Sequence, residues 1–207
     1  MPLQLISAPA AEPITLEDAK KWLRVETQYD DDVISGLIVA VRMYAEERTR
    51  RSLVTQTWKL VLDSFPGPSL IGVPYGRAFG VPHHAILLER APVTAVTSIQ
   101  YLDMGGNTQT MPSTDYTVDV TSEPARITPV FGKIWPINLP QIGSVSVTFT
   151  AGYGGAEAVP AGITTWMKLR LAALYENREE VAVGARLVVA EVPMVDSLLD
   201  PYCLRYF

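Results

Sequence analysis

The stretch SVSVTFTAGYGG, residues 144–155, followed shortly by VPAGITTWMKLRLAALYENRE, constrains this chain more than any other. Val145, Val147 and Phe149 alternate with Ser and Thr, the period of a strand that buries one face. Gly152, Gly154 and Gly155 then break the pattern around Tyr153, and apolar residues resume at a spacing of three and four from Ile163 onward. A sheet must therefore hand over to a helix at one sharp point. Glycine admits positive φ there, Tyr153 can cover the junction, and Pro160 suits the first turn of the helix. Such a hinge (Gly152, Tyr153, Gly154, Pro160) answers a mechanical need and carries no chemistry of its own.

Upstream, Thr15 before Leu16, Ala19, Trp22 and Leu23, with Asp18 three residues on, predicts a capped amphipathic helix. The run YDDDV opens a second helix, with Asp30 or Asp31 as acceptors for its free amides. Val33, Ile34, Leu37, Ile38, Val41, Tyr44 and Ala45 mark its apolar positions, and its end, RMYAEERTRR, is rich in arginine. The period then changes to two at Trp58, Leu60 and Leu62. A loop over 64–84 has no periodicity; two short strands broken at Pro92, a turn at 105–107, and a hairpin from DYTVDVT and ARITPV follow. The third helix presents Ile163, Trp166, Met167, Leu171, Leu174 and Tyr175. Gly184 interrupts a further apolar run, and Pro193 opens a last short helix that Pro201 ends.

A chain of 207 residues, 48% hydrophobic and 19% charged, holds a core without staples. Its net charge of -5 argues against a protein built mainly to grip nucleic acid. One cysteine, Cys203, forbids an internal disulfide and fits a reducing compartment. The opening residues lack the positive and apolar regions of a signal peptide, and the apolar run at 37–41 is too short to cross a bilayer. A soluble, cytoplasmic protein with no membrane contact is expected.

Chemistry is hard to find. The two histidines, His83 and His84, are adjacent and diverge, so they form no paired metal ligands. Cys203 has no nucleophile context and reads as a small buried hydrophobe. Asp30–Asp32 lacks the spaced ligands, glycine and closing glutamate of a calcium loop, so helix capping is the better reading. The glycines at 152–155 lack phosphate-loop spacing. No catalytic residue, cofactor or metal site is assigned. Arg42, Arg48, Arg50 and Arg51 read first as a solvated helix end, and second as a subunit or DNA-facing group, since guanidinium forks suit carboxylates and phosphates.

The pieces in their order resemble the head–tail connector (adaptor) proteins of long-tailed bacteriophages and prophages. The residues that carry the resemblance are ITLEDAKKWLRV, DDDVISGLIVAVRMYAEERTRRSLVTQTW, LLERAPVTAVTSIQYLDMGGN, VTFTAGYG with VPAGI, and SLLDPYCLRYF. The resemblance implies an α+β, mainly helical fold. A small helical bundle is drawn from both chain ends (1–55 and 152–207), with an antiparallel β-rich region (56–151) inserted between helices two and three, in one compact domain overall. It also implies a homo-oligomeric ring, of twelve subunits to match the portal protein, that extends the DNA channel. The ring would offer a platform for head-closure or tail proteins, and double-stranded DNA would pass through it without sequence-specific binding. On the same resemblance the C-terminal Tyr202, Arg205, Tyr206 and Phe207 dock to the portal, with Cys203 standing where a basic residue is usual. The loop holding Tyr75, Arg77, Phe79, His83 and His84 is the tail-side or neighbour contact. The protein would reside in the virion neck, and in the host cytoplasm during assembly and DNA packaging.

Two other classes remain open. One is a ligand-binding module using Trp58, Tyr75 and Trp135 as an aromatic surface, although Trp58 alternates with polar residues as a core position does. The other is a hydrolase assembled from scattered residues such as Asp115, Glu123 and His84.

Overall fold

The computed structural model describes residues 3–67, 84–177 and 193–204. These fall into two compact units: one of residues 3–9, 55–67, 84–152 and 204, the other of residues 10–54, 153–177 and 193–203.

The first unit is all β. Its strands are β1 (Leu3–Ser7), β2 (Gln56–Leu62), β3 (Ile86–Leu88), β4 (Val93–Leu102), β5 (Thr108–Thr110), β6 (Tyr116–Asp119), β7 (Ala125–Pro129) and β8 (Val145–Ala151). They form a five-stranded antiparallel sheet in the order β1-β2-β8-β4-β5 and a three-stranded one in the order β3-β7-β6. The period-two stretches behave as read. In β2 and β8 every second residue is buried, and the register sets Trp58 opposite Phe149, Leu60 opposite Val147 and Leu62 opposite Val145. These cross-strand pairs, with Ile99, Leu88 and Ile127, make the core of the unit. The strand 145–151 lies at the centre of its sheet, between two neighbours, which is why its inward residues are the most deeply covered. Pro92 separates β3 from β4, as expected, and the two strands join different sheets. The alternation weakens in β4 because its pairing with β8 shifts between Val93 and Ala95 and again between Val96 and Ser98.

Two strands, β1 and β5, have no signature in the sequence pattern. β1 pairs with β2 at the sheet edge, Leu3 opposite Leu60 and Leu5 opposite Trp58, yet four of its five residues are exposed. A short strand held mainly by backbone hydrogen bonds leaves little trace in side-chain pattern.

The second unit is helical: α1 (Leu16–Leu23), α2 (Asp31–Thr49), α3 (Ala161–Glu176) and α4 (Pro193–Ser197). Thr15 caps α1, its hydroxyl accepting from Asp18 N at 3.1 Å. Asp30 is the residue before α2 but makes no capping bond. Its carboxylate instead accepts from the Tyr175 hydroxyl at 2.7 Å, and Asp31 pairs with Lys20 at 2.6 Å. The acidic run thus ties α2 to α3 and α1. Ile34, Ile38, Val41 and Ala45 of α2 share one core with Ile163, Trp166, Met167 and Leu171 of α3, together with Ala19, Leu53 and Leu199. Leu174 lies outside that core at 44% exposure, a correction to the expected apolar face.

The class is α+β. Helix accounts for 33% and strand for 27% of the described residues, a near balance in place of the expected mainly helical fold. The cause is the long run of short strands between 84 and 151, where turn residues obscured strand content. Among the described residues, no helix is long and apolar enough to cross a membrane.

Candidate functional site

The four arginines near the end of α2 divide into two pairs. Arg42 is buried, with Nε donating to Glu12 at 2.7 Å and Nη1 to Glu46 at 2.8 Å. Burial opposes its charge, but the hydrogen bond to Glu12 and the fields of Glu46 and Glu12 prevail and hold the guanidinium above its ordinary range. Glu46 also accepts from Leu53 N at 2.9 Å. Arg51 is buried too: its Nε donates to the Tyr202 carbonyl at 2.6 Å, and its guanidinium lies 5.9 Å from the Tyr153 ring centroid. Arg48 and Arg50 face solvent. Arg48 sits 3.8 Å from Asp200, and Arg50, in the left-handed conformation that ends α2, pairs with Glu47 at 2.8 Å. A solvated helix end therefore describes Arg48 and Arg50, whereas Arg42 and Arg51 are buried and bonded within the subunit. Spacing alone did not separate them, because burial here depends on Glu12 and Tyr202, 30 and 151 residues away.

Arg51 is also what holds the C-terminal segment. Residues Asp200–Tyr202 form a tight helical turn; Cys203 Sγ donates to Leu199 O at 3.4 Å and Arg48 O at 3.6 Å, in a half-buried position. The Tyr202 ring packs on Gly162 of α3. A Cβ at that position would stand 2.9 Å from the Tyr202 hydroxyl oxygen and 3.1 Å from its Cε2. Gly162→Ala is accordingly expected to displace the ring and to forfeit the roughly 1 kcal/mol that alanine gains over glycine in a helix. Denaturant unfolding checks this; a variant about 1 kcal/mol more stable than the parent would remove Tyr202 from this seat. Of the other expected docking residues, Arg205, Tyr206 and Phe207 lie outside the described residues, as does Gly184.

Two of the glycines after β8 take the positive φ that was expected of them. Gly152 has φ 140° and donates to Pro92 O at 2.9 Å; Gly154 has φ 124°. Both values lie where a side chain is disfavoured. In the helical unit Tyr153 N donates to Leu53 O at 3.2 Å. Pro160 stands just before α3 rather than in its first turn, and its carbonyl accepts from Ile163 N at 3.0 Å and Thr164 N at 3.2 Å.

His84 is exposed, while Tyr75, Arg77, Phe79 and His83 lie outside the described residues. Trp58 and Trp135 are both buried in the β core, so they offer no open aromatic platform for a ligand. Asp115 is paired with Lys133. Among the described residues, no group of three or more His, Cys, Asp or Glu side chains is placed to hold a metal ion. The Asp119 carboxylate belongs to a turn: it accepts from Thr121 Oγ1 at 2.6 Å, Ser122 Oγ at 2.7 Å and Arg126 Nε at 2.8 Å, which hold it well below the usual carboxylate range. Its contribution to the β6–β7 hairpin is present above the ordinary carboxylate pKa and lost as pH falls through the depressed one.

Apolar surfaces were the feature that sequence reading missed. Val33, Val39, Met43 and Tyr44 are exposed on α2, a correction for Val33 and Tyr44, which spacing put on its apolar face; Tyr44 nevertheless covers Trp166 with one side of its ring. The signal was present in VISGLIVAVRMYA, which is apolar on both sides, a composition normal for a helix covered all round. In the β unit, Phe131, Ile134, Ile137 and Ile142 are open to solvent on the connection between β7 and β8.

Residues 13–76 match the family of phage gp6-like head-tail connector proteins. The resemblance read from the sequence is to the phage head–tail connectors. That match covers α1, α2 and β2 and extends into residues outside the described ones. Three solved structures are similar over the whole chain. The neck of an empty gene transfer agent (GTA) particle computed with C6 symmetry gives 23% identity and a TM-score of 0.75, covering 100% of this chain and 97% of that one. The virion of the native gene transfer agent particle gives 21% and 0.75, and the neck of the native particle computed with C12 symmetry gives 22% and 0.73, at the same coverage. At these identities the likeness establishes the fold. Among curated proteins no relative matches.

Proposed function

We propose that this chain is a structural subunit of a virion neck: a head–tail connector that forms a ring beneath the portal. The observation that carries the reading is the connector-family match over residues 13–76, and the full-length fold likeness to chains in particle necks supports it. Ring closure proceeds through a heterologous contact repeated around an axis, and many neighbours acting together offset the cost of ordering each subunit. The ring extends the DNA channel and carries the head-closure or tail protein. Its role is assembly rather than catalysis, and its place is the virion neck after assembly in the host cytoplasm.

Within this reading the C-terminal Tyr202, Arg205, Tyr206 and Phe207 dock to the portal. Tyr202 has a firm seat for that task, anchored through Arg51 and Gly162. Arg48 and Arg50 are the arginines left to face a neighbouring subunit or the channel, and the loop with Tyr75, Arg77, Phe79, His83 and His84 meets the tail side or a neighbour. The net charge of -5 suits a conduit, since a dense cationic lining would hold passing DNA through counterion release.

The test is absolute mass by light scattering with electron micrographs of the largest species, alone and with a portal. Open-centred rings near twelve times the 22.7 kDa chain mass are expected, by analogy with the neck computed with C12 symmetry. A deletion of residues 205–207 is expected to abolish portal co-sedimentation. A chain that forms no ring and binds no portal would overturn the proposal.

A further inference from the structure

We infer that the connection between β7 and β8, residues 130–143, is the apolar half of the subunit-to-subunit contact, and that its occupant is a second copy of this chain. The inference rests on the ring reading above and names the surface that closes the ring.

Phe131, Ile134, Ile137 and Ile142 are 103, 85, 78 and 91% exposed, although each is a residue that a free subunit gains nothing by holding in water. The backbone that carries them is anchored at several points between them. Trp135 is buried, stacks on Phe65 at 4.9 Å and donates its indole N–H to His84 O at 2.6 Å. The Asn138 amide donates to Asp63 O at 3.3 Å and Leu139 O at 3.0 Å; Leu139 N donates to Leu102 O at 2.9 Å, and Gly143 N to Asp63 Oδ1 at 2.8 Å. A loop held this firmly, with its anchors turned in and its large apolar side chains turned out, is ordered before any partner arrives. It loses little conformational freedom on binding.

Charge decides the kind of occupant. Lys133 is the one charged residue from 131 to 142, and Asp115 pairs with it. The surface has nothing to offer a phosphate backbone or an acidic partner, and permanent interfaces between subunits are the more apolar class. Two of the similar solved structures are particle necks computed with sixfold and twelvefold symmetry, and a rotational axis of that order repeats one chain around a ring. A closed ring of more than two members needs a head-to-tail contact, so the loop meets a different surface of the next copy and not itself.

Sedimentation velocity of the full chain over a wide concentration range, with wild type beside Ile134→Asp/Ile137→Asp, tests this. Wild type is expected to assemble and the double variant to weaken association roughly 100-fold. The near-UV circular dichroism of the chain, to which its four tryptophans contribute, should be unchanged in the variant, and Ile134→Val/Ile137→Leu should assemble as wild type does. Equal assembly of the Asp variant would overturn this inference and leave the ring reading standing. Normal assembly with loss of portal or tail-protein binding would assign the loop to that partner and overturn it as well. A wild-type chain that stays monomeric alone, yet forms rings on a portal that the Asp variant also forms, would overturn the inference without touching the proposed function. Failure of wild type both to assemble and to bind a portal would sink the two together.

Discussion

Replacing Trp166 by alanine is expected to destabilise the helical unit by roughly 3–5 kcal/mol. The indole is 1% exposed at the centre of the α2–α3 core. It stacks on Tyr44 with centroids 5.6 Å apart and planes 11° from parallel, and it donates to Asp196 at 3.0 Å. Truncation would open a cavity, end the aromatic pair and strip Asp196 of its indole donor, leaving Arg170 at 3.6 Å as its remaining ion pair. These losses fall on one residue, so little relaxation can absorb them. Thermal unfolding should shift downward by about 10 °C for a chain of this length. A soluble variant with an unshifted transition would remove Trp166 from the core.

Comparable in size, Glu46→Ala is expected to cost roughly 3–5 kcal/mol, because it leaves a buried guanidinium and a buried amide short of an acceptor at once. Arg42 would keep only Glu12, whose side chain is 28% exposed, and Leu53 N would lose its carboxylate partner. The double variant Arg42→Met/Glu46→Leu should recover part of the loss, since it withdraws the unpaired charge, but not all of it, since the Leu53 amide remains unsatisfied. Urea unfolding of the four species measures the coupling. A single-variant loss below about 1 kcal/mol would mean that water replaces Glu46 freely and that the network is not buried in effect.

Trp166 was legible as core because it recurs with Ile163, Met167 and Leu171 at helical spacing. Glu46 was not, because a glutamate in an arginine-rich helix end has the same spacing whether it is solvated or buried. Arg42 and Arg51 looked like Arg48 and Arg50 for the same reason.

Local pattern therefore determined the elements. Periods of two and of three to four set β2, β8, α1, α2 and α3, and the paired glycines at 152 and 154 set the hinge, because each depends on residues close in the chain. Three matters were left to tertiary structure: the place of β1 at a sheet edge, the burial of two arginines out of four, and the outward turn of Phe131, Ile134, Ile137 and Ile142 around an anchored Trp135. Each is decided by partners tens of residues away. A side chain's spacing states which face of an element it occupies, and only the packing of distant elements states whether that face meets protein or water.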